Sequence, residues 1–251
     1  MQLKIQKRWS NGQNLLVSYT LSKFITDNET TTTWMEAAGA GGFTNTYDLH
    51  SQRSLSSFDV PQRLVVSYVL DLPVGHGKKF LSGLTGPANK LIGGWGIQGV
   101  TTLQRGLPIF ITESSNTSTS FGGGQRPDYN PNGAGCSNSA ALSGSRESRL
   151  NGWFNTNCFS KAAAYTFGNL GRVLPNVRWD GLNNFDFALI KNTGLTADER
   201  LRLQFRAEFF NMFNHPQFGP PGTSRGTGTF GIVSSQWNNP RLIQFGMKIL
   251  F

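Results

Sequence analysis

The sequence has few charged residues and few cysteines for its length. Only 15% of its 251 residues are charged and 37% are hydrophobic, whereas glycine (30) and phenylalanine (19) are abundant. This composition excludes a disordered polyelectrolyte and does not fit a helical bundle rich in Ala, Glu and Lys. We therefore expect an all-β chain with long loops.

Long apolar runs are also missing. The longest, near Leu64 to Leu70, is interrupted by Ser67 and falls well short of the roughly 20 residues that a spanning helix requires. Residues 1–8 lack the apolar core of a secretory signal and already alternate like a β-strand. We expect no membrane helix, and we interpret the chain as a fragment that begins within a strand.

Motifs for catalysis, metal binding and nucleic-acid binding are absent. The net charge of +9 is spread along the chain without a basic run, so we expect no nucleic-acid partner. His50, His76 and His215 stand alone, without an HExxH or GxSxG context. Gly122-Gly123-Gly124 lacks the strand and helix that flank a phosphate-binding loop. We expect no enzyme, no metal and no cofactor.

What the sequence does contain is alternation of apolar and polar residues with a period of two. Such alternation separates one apolar face from one polar face, which a helix would mix. Seven strands are predicted: residues 2–9, 14–24, 62–72, 94–105, 184–192, 200–213 and the C-terminal segment that ends at Phe251. The sequence does not decide whether the fourth strand extends past Gly106 to Thr112.

The connections between these strands alternate in length. Residues 10–12 form a tight turn and 193–199 a short one, 73–93 are intermediate, and 25–61, 113–183 and 214–239 are long. Outer-membrane barrels have short periplasmic turns and longer extracellular loops, and a C-terminus on the periplasmic side. This parity favours a transmembrane antiparallel β-barrel over a soluble sandwich or propeller.

A barrel assigns the two faces of each strand. Lipid solvates the apolar face, so Arg200, Arg202, Arg206 and Glu208 are predicted to face the lumen. Three roles in the lumen are open for these charged residues: they guide an anionic substrate, contact another domain, or pair with one another along the barrel wall. We favour the mutual pairing. Bacterial barrels have even counts of at least about eight strands, so seven strands indicate a partial barrel.

Two further groups of residues carry open alternatives. Cys136 and Cys158 lie in a stretch rich in Gly, Asn and Ser, where a loop disulfide is favoured over two unrelated thiols. Aromatic residues near strand ends are either rim residues at headgroup depth or ordinary barrel surface. These aromatic residues are Trp9, Tyr19, Trp95, Phe209 and Trp237.

Several stretches match a known family. They are FDVPQR (58–63), YVLDLPVGHGKK (68–79), GGWGI (93–97), NNFD (183–186), NPR (239–241) and, most distinctively, RAEFFNMFNHPQFG (206–219). In these stretches the chain resembles the C-terminal part of TonB-dependent outer-membrane transporters. It is most similar to the Oar-like, acidobacterial-type group, which has a carboxypeptidase-regulatory-like N-terminal domain.

The resemblance implies a barrel of about 22 strands, of which residues 1–251 supply about seven or eight, with long extracellular loops. It implies active import of a large substrate across the bacterial outer membrane, driven by the TonB complex through a plug. Outer-membrane lipid and the missing N-terminal strands would be further partners. The chain contains no candidate for a plug, a TonB box or a signal peptide.

The resemblance also assigns a role to the C-terminus. Phe251, with Ile249, Met247 and Phe245, resembles the signal that the barrel assembly machinery reads.

Other interpretations of the whole chain remain. One is a secreted β-rich adhesin or carbohydrate-binding module whose strands pack as a sandwich, and another is a small self-contained outer-membrane barrel. No residue identifies a transported substrate.

Overall fold

One large antiparallel sheet organises the computed structural model, which describes residues 1–29, 44–45, 47–119, 125–196 and 200–251. Gly122-Gly123-Gly124 lies outside the described residues. The sheet has seven long strands. They are β1 (Gln2–Arg8), β2 (Asn14–Leu21), β3 (Gln62–Asp71), β4 (Trp95–Gln104), β5 (Leu182–Gly194), β6 (Arg202–Phe210) and β7 (Leu242–Leu250).

The strands form a simple meander. Each strand pairs in antiparallel fashion with its neighbour along the chain, from β1 to β7. Within the described residues, β1 and β7 are the free edges and do not pair with each other. The predicted all-β class and the seven predicted strands are confirmed, and the long strands form one sheet rather than the two packed sheets of a sandwich.

Several strand ends differ from the sequence prediction for local reasons. The predicted strand 200–213 stops at Phe210 because Asn211 adopts a positive φ of 50°. The predicted strand 14–24 stops at Leu21, after which the Phe24 amide donates to the Asp59 side chain at 2.7 Å. Past Gly106, β4 does not continue; Pro108–Ile109 pairs instead with Leu174–Arg178.

The connections fall into two groups at opposite ends of the sheet. Residues 9–13, 72–94 and 195–201 join strands at one end, and the middle connection contains the short helix α1 (Gly86–Ile92). Residues 22–61, 105–181 and 211–241 join strands at the other end. We call the described parts of these three long connections the loop cap.

The loop cap contains short elements of its own. Two-stranded pairs form between Ile25–Thr26 and Ser54–Leu55, between Thr112–Glu113 and Ser224–Arg225, and between Asp128–Tyr129 and Phe159–Ser160. Its 3-10 turns are His50–Gln52, Glu147–Arg149 and Thr156–Cys158. No helix among the described residues has the length and apolar character needed to cross a membrane.

The hydrophobic core lies in the loop cap and not against the sheet. Trp153, Phe154 and Ile109 are almost fully buried there. Phe154, Phe159 and Phe230 pack edge to face, with centroids 5.2–5.8 Å apart, a favoured aromatic geometry. The cap is therefore a packed unit, whereas the sheet has no second layer within the described residues.

Candidate functional site

One face of the sheet is apolar along all seven strands. Its residues are in register from strand to strand, for example Val17, Val66 and Thr101. This apolar face comprises Leu3, Ile5 and Lys7; Leu15, Val17 and Tyr19; Leu64, Val66, Tyr68 and Leu70; Trp95, Ile97, Gly99, Thr101 and Leu103; Asn183, Phe185, Phe187, Leu189, Lys191 and Thr193; Leu203, Phe205, Ala207 and Phe209; and Ile243, Phe245, Met247 and Ile249. A surface this wide and apolar is suited to contact lipid.

The opposite face, which we call the polar face, carries almost all charged residues of the seven strands. They are Lys4, Arg8, Arg63, Asp71, Asp186, Arg202, Arg206, Glu208 and Lys248. The charged residues on the apolar face are Lys7 and Lys191. This asymmetry is the pattern of a wall with lipid on one side and water on the other.

Lys7 and Lys191 both lie near the short-turn end of the sheet. Lys7 Nζ lies 5.9 Å from the Trp9 ring centroid, and Lys191 Nζ lies 5.4 Å from that of Trp95. Lys191 Nζ also donates to the Gly93 carbonyl. A lysine near a strand end can extend its ammonium group to water while its alkyl stem stays on apolar surface. These pairs are therefore compatible with the polar boundary of a lipid layer.

The aromatic residues considered as rim residues lie near the two ends of the sheet. Trp9 and Trp95 are at the short-turn end, and Tyr19, Phe209 and Trp237 are at or above the cap end. Trp237 packs edge to face on Trp179, with centroids 5.4 Å apart.

The predicted lumen-facing charges lie together on β6. Arg202, Arg206 and Glu208 share the polar face, and Arg200 precedes the strand. Arg206 pairs with Glu208 at 2.8 Å. The structure thus places an ion pair along the wall at this position.

The predicted assembly segment forms the exposed edge strand. Phe245, Met247 and Ile249 alternate on the apolar face of β7, and Phe251 follows the strand, fully exposed. Phe245 stacks on Phe205 of β6 with centroids 6.1 Å apart. Only one side of this strand is paired within the described residues.

The stretches NNFD, RAEFFNMFNHPQFG and NPR meet in one corner at the cap end of β5, β6 and β7. Asp186 Oδ1 accepts from the Asn211 amide at 2.9 Å, and the Asn211 side chain donates to the carbonyls of His215 and Asn239 at 3.1 Å. The Arg241 amide donates to Asn214 Oδ1 at 2.9 Å. Asn211 and Asn214 both have positive φ, which asparagine tolerates better than most residues. We name this arrangement the asparagine corner.

Two other stretches quoted for the resemblance also have structural roles. In GGWGI, Gly94 has φ +73°, and a Cβ atom there would overlap the Asn192 carbonyl oxygen. In FDVPQR, the buried Asp59 carboxylate pairs with Arg178 at 2.6 Å. The sequence pattern indicates neither contact, because each partner lies far away along the chain.

Buried ion pairs connect the three long connections. Glu29 pairs with Arg172 at 3.1 Å and Asp59 with Arg178, which ties residues 22–61 to residues 105–181. Glu113 pairs with Arg225 at 3.0 Å, which ties the second connection to the third. A buried carboxylate needs a counter-charge and hydrogen bonds, and each of these three has an arginine partner.

The disulfide and a buried arginine complete the cap interior. Cys136 and Cys158 are bonded, and Cys158 lies in the hydrophobic core. Arg126 donates to Gln52 Oε1 at 2.7 Å. Burial, together with the nearby charge of Arg172, lowers the pKa of Arg126 to about 10.

The histidines occupy separate places. Arg146 donates to His215 Nε2 at 2.5 Å, His76 Nδ1 lies 3.1 Å from the Leu84 carbonyl oxygen, and His50 begins a 3-10 turn. In the part of the chain that the structure describes, no three His, Cys, Asp or Glu side chains gather into a potential metal site.

Comparison with known proteins agrees with this geometry. Residues 1–244 match the family described as outer membrane beta barrel domain. No curated protein and no solved structure matches the chain. The match covers nearly the whole chain. A barrel of this family has an apolar outer face toward lipid and a polar inner face, which agrees with the two faces of this sheet. The chain therefore belongs to this outer-membrane β-barrel family, contributes a partial antiparallel barrel, and is located in the bacterial outer membrane.

Proposed function

We propose that this chain is the C-terminal barrel segment of a TonB-dependent outer-membrane importer of a large substrate. The observation that carries the proposal is the asparagine corner, because the most distinctive stretch of the resemblance, residues 206–219, meets two others there through Asp186, Asn211 and Asn214. The three stretches lie at the same end of three consecutive strands, and side-chain hydrogen bonds join them into one unit. The proposal assigns the chain no catalytic chemistry, cofactor or nucleic-acid partner.

The open sheet supports the same proposal. A membrane barrel must pair every strand, since an unpaired edge in lipid leaves backbone groups without hydrogen bonds. β1 and β7 each have one unpaired side within the described residues. Further strands between them, and a plug that contacts the charges of the polar face, would complete the transporter.

The test is cross-linking in the source bacterium. An epitope tag placed beside the exposed Tyr165 in the cap leaves the C-terminus untouched. After cross-linking in intact cells, the tagged polypeptide should be recovered with TonB and should contain plug and additional barrel peptides. A strain that lacks TonB provides the control for the cross-linked band.

A different result would favour the small self-contained barrel. In that case the tagged species would migrate at the mass of this chain alone, 27.6 kDa, would resist denaturation by detergent, and would form no cross-link to TonB.

A further inference from the structure

A cavity of about 540 Å³ lies where the loop cap meets the sheet. Tyr19, Leu64 and Leu103 line one side of it, and they are register neighbours at the cap end of the apolar face. The other walls come from cap residues 146–153 and 176–181. The cavity therefore lies between the apolar, lipid-facing surface of the sheet and the loop cap.

The charged residues that line the cavity are mainly cations. They are Arg105, Arg146, Arg149 and Arg178, with Asp180 as the acidic residue among the described lining residues. Arg146 pairs with Asp180 at 3.0 Å, and Arg178 is held by Asp59. Arg105 and Arg149 form no ion pair within the described part of the chain, so the cavity keeps an excess of positive charge.

The position of Arg149 is defined by its neighbours. Its guanidinium lies 4.7 Å from the ring centroid of the buried Trp153, and its Nε donates to the Ser145 carbonyl at 3.3 Å. The Trp153 indole in turn donates to the Arg178 carbonyl at 2.8 Å. A guanidinium positioned in this way has lost part of its conformational freedom before any ligand arrives.

We propose that this cavity binds the phosphate-bearing headgroup of an anionic outer-leaflet lipid, with Arg105 and Arg149 on the phosphate and an acyl chain against Leu64 and Leu103. Arginine matches phosphate geometry with paired N–H donors, and the apolar side of the cavity is continuous with the lipid-facing surface. A soluble anion would use the arginines but would leave that apolar side unused. The inference rests on the outer-membrane location and not on the importer proposal.

The test uses the complete protein, extracted from the outer membrane in a mild detergent and examined by native mass spectrometry. Diphosphoryl lipid A is titrated as the anionic lipid, phosphatidylcholine as the zwitterionic lipid, and glucose 6-phosphate as the soluble phosphate. The test variant is Arg105→Gln combined with Arg149→Gln, because neither residue takes part in an ion pair with the described residues of the cap. The matched control is Arg63→Gln, which removes a cation at the same end of the sheet from the opposite face.

The wild-type protein and the Arg63→Gln control should bind lipid A equally, and the double variant should bind it at least about tenfold more weakly, as expected for the loss of charge-assisted hydrogen bonds. Phosphatidylcholine should not compete. Equal binding by the double variant would overturn the proposal, as would an equal loss in the control. Tight binding of glucose 6-phosphate without binding of lipid A would show a site for a soluble anion and would overturn the lipid assignment.

Discussion

Gly94 shows how a single residue sets the junction between β4 and β5. It precedes β4 with φ +73°, and its Cα lies so close to the Asn192 carbonyl that there is no room for a side chain. The Asn192 amide also donates to the Gly94 carbonyl at 2.8 Å. This close approach holds the end of β4 against β5.

Gly94→Ala should destabilise the folded sheet by about 1–3 kcal/mol, because alanine is strained at this φ and its Cβ meets the Asn192 backbone. The measurement is the temperature at which the folded form, which resists detergent, converts to the unfolded form on a gel. Gly246→Ala is the control. Gly246 lies on β7 with open space around it, and that change should leave the transition unchanged or raise it. Equal shifts in both variants would show that the contact at Gly94 is not responsible.

Asp59 plays a comparable role in the loop cap, since its carboxylate accepts from both Arg178 and the Phe24 amide. Asp59→Asn should lower the stability of the cap by about 3 kcal/mol, because Arg178 loses its counter-charge in a partly buried position. Urea unfolding followed by tryptophan fluorescence measures this, since Trp153 and Trp179 lie in the cap.

Asp71→Asn makes the same chemical change at an exposed pair, where Lys78 Nζ lies 3.8 Å from the carboxylate. We expect a change below about 1 kcal/mol there. If the two variants were equally stable, the Asp59 pair would not be holding the cap together.

At the scale of elements, β7 combines apolar alternation with an exposed edge. We propose that the barrel assembly machinery reads this strand, and we therefore expect deletion of Phe251 to reduce severalfold the amount of protein integrated into the outer membrane. The fraction that resists urea extraction from membranes measures integration. Leu250→Ala changes the neighbouring residue on the opposite face and should integrate normally. Normal integration of the deletion variant would remove the terminal residue from the signal.

The loop cap is the part of the fold that the sequence predicts least. Trp153 and Phe154 lie in the predicted long connection, residues 113–183, but nothing in the local sequence pattern indicates that they are central to a hydrophobic core. The ion pairs of Asp59 with Arg178 and of Glu113 with Arg225 join residues of different connections. Period-two alternation reports only local conformation, so it carries no information about such distant contacts.

At the scale of the whole molecule, the sheet was predictable where the cap was not. Period-two alternation identifies the seven strands, and the observed order is the simplest one, in which each strand pairs with its neighbour along the chain. The register then places apolar residues of every strand on one face, from Ile5 of β1 to Met247 of β7. Two strands end earlier than the sequence predicts, near the contacts of Asp59 and Asn211 at the start of the cap. These contacts are tertiary, so the local sequence pattern does not indicate them.

The central claim is that the apolar face contacts lipid and the polar face does not. Two pairs of adjacent, identical residues allow the faces to be compared directly, Val65 with Val66 and Thr101 with Thr102. Val66 and Thr101 lie on the apolar face, and Val65 and Thr102 lie on the polar face. The described cysteines are both in the disulfide. A spin label therefore reacts only with a cysteine that is introduced at one of these four positions.

The most direct measurement is the collision rate of each label with oxygen, which concentrates in lipid, and with a water-soluble nickel complex. We predict a higher ratio of oxygen to nickel collisions for Val66→Cys than for Val65→Cys, and for Thr101→Cys than for Thr102→Cys. Equal ratios within both pairs, or reversed ratios, would contradict the assignment of the apolar face to the membrane.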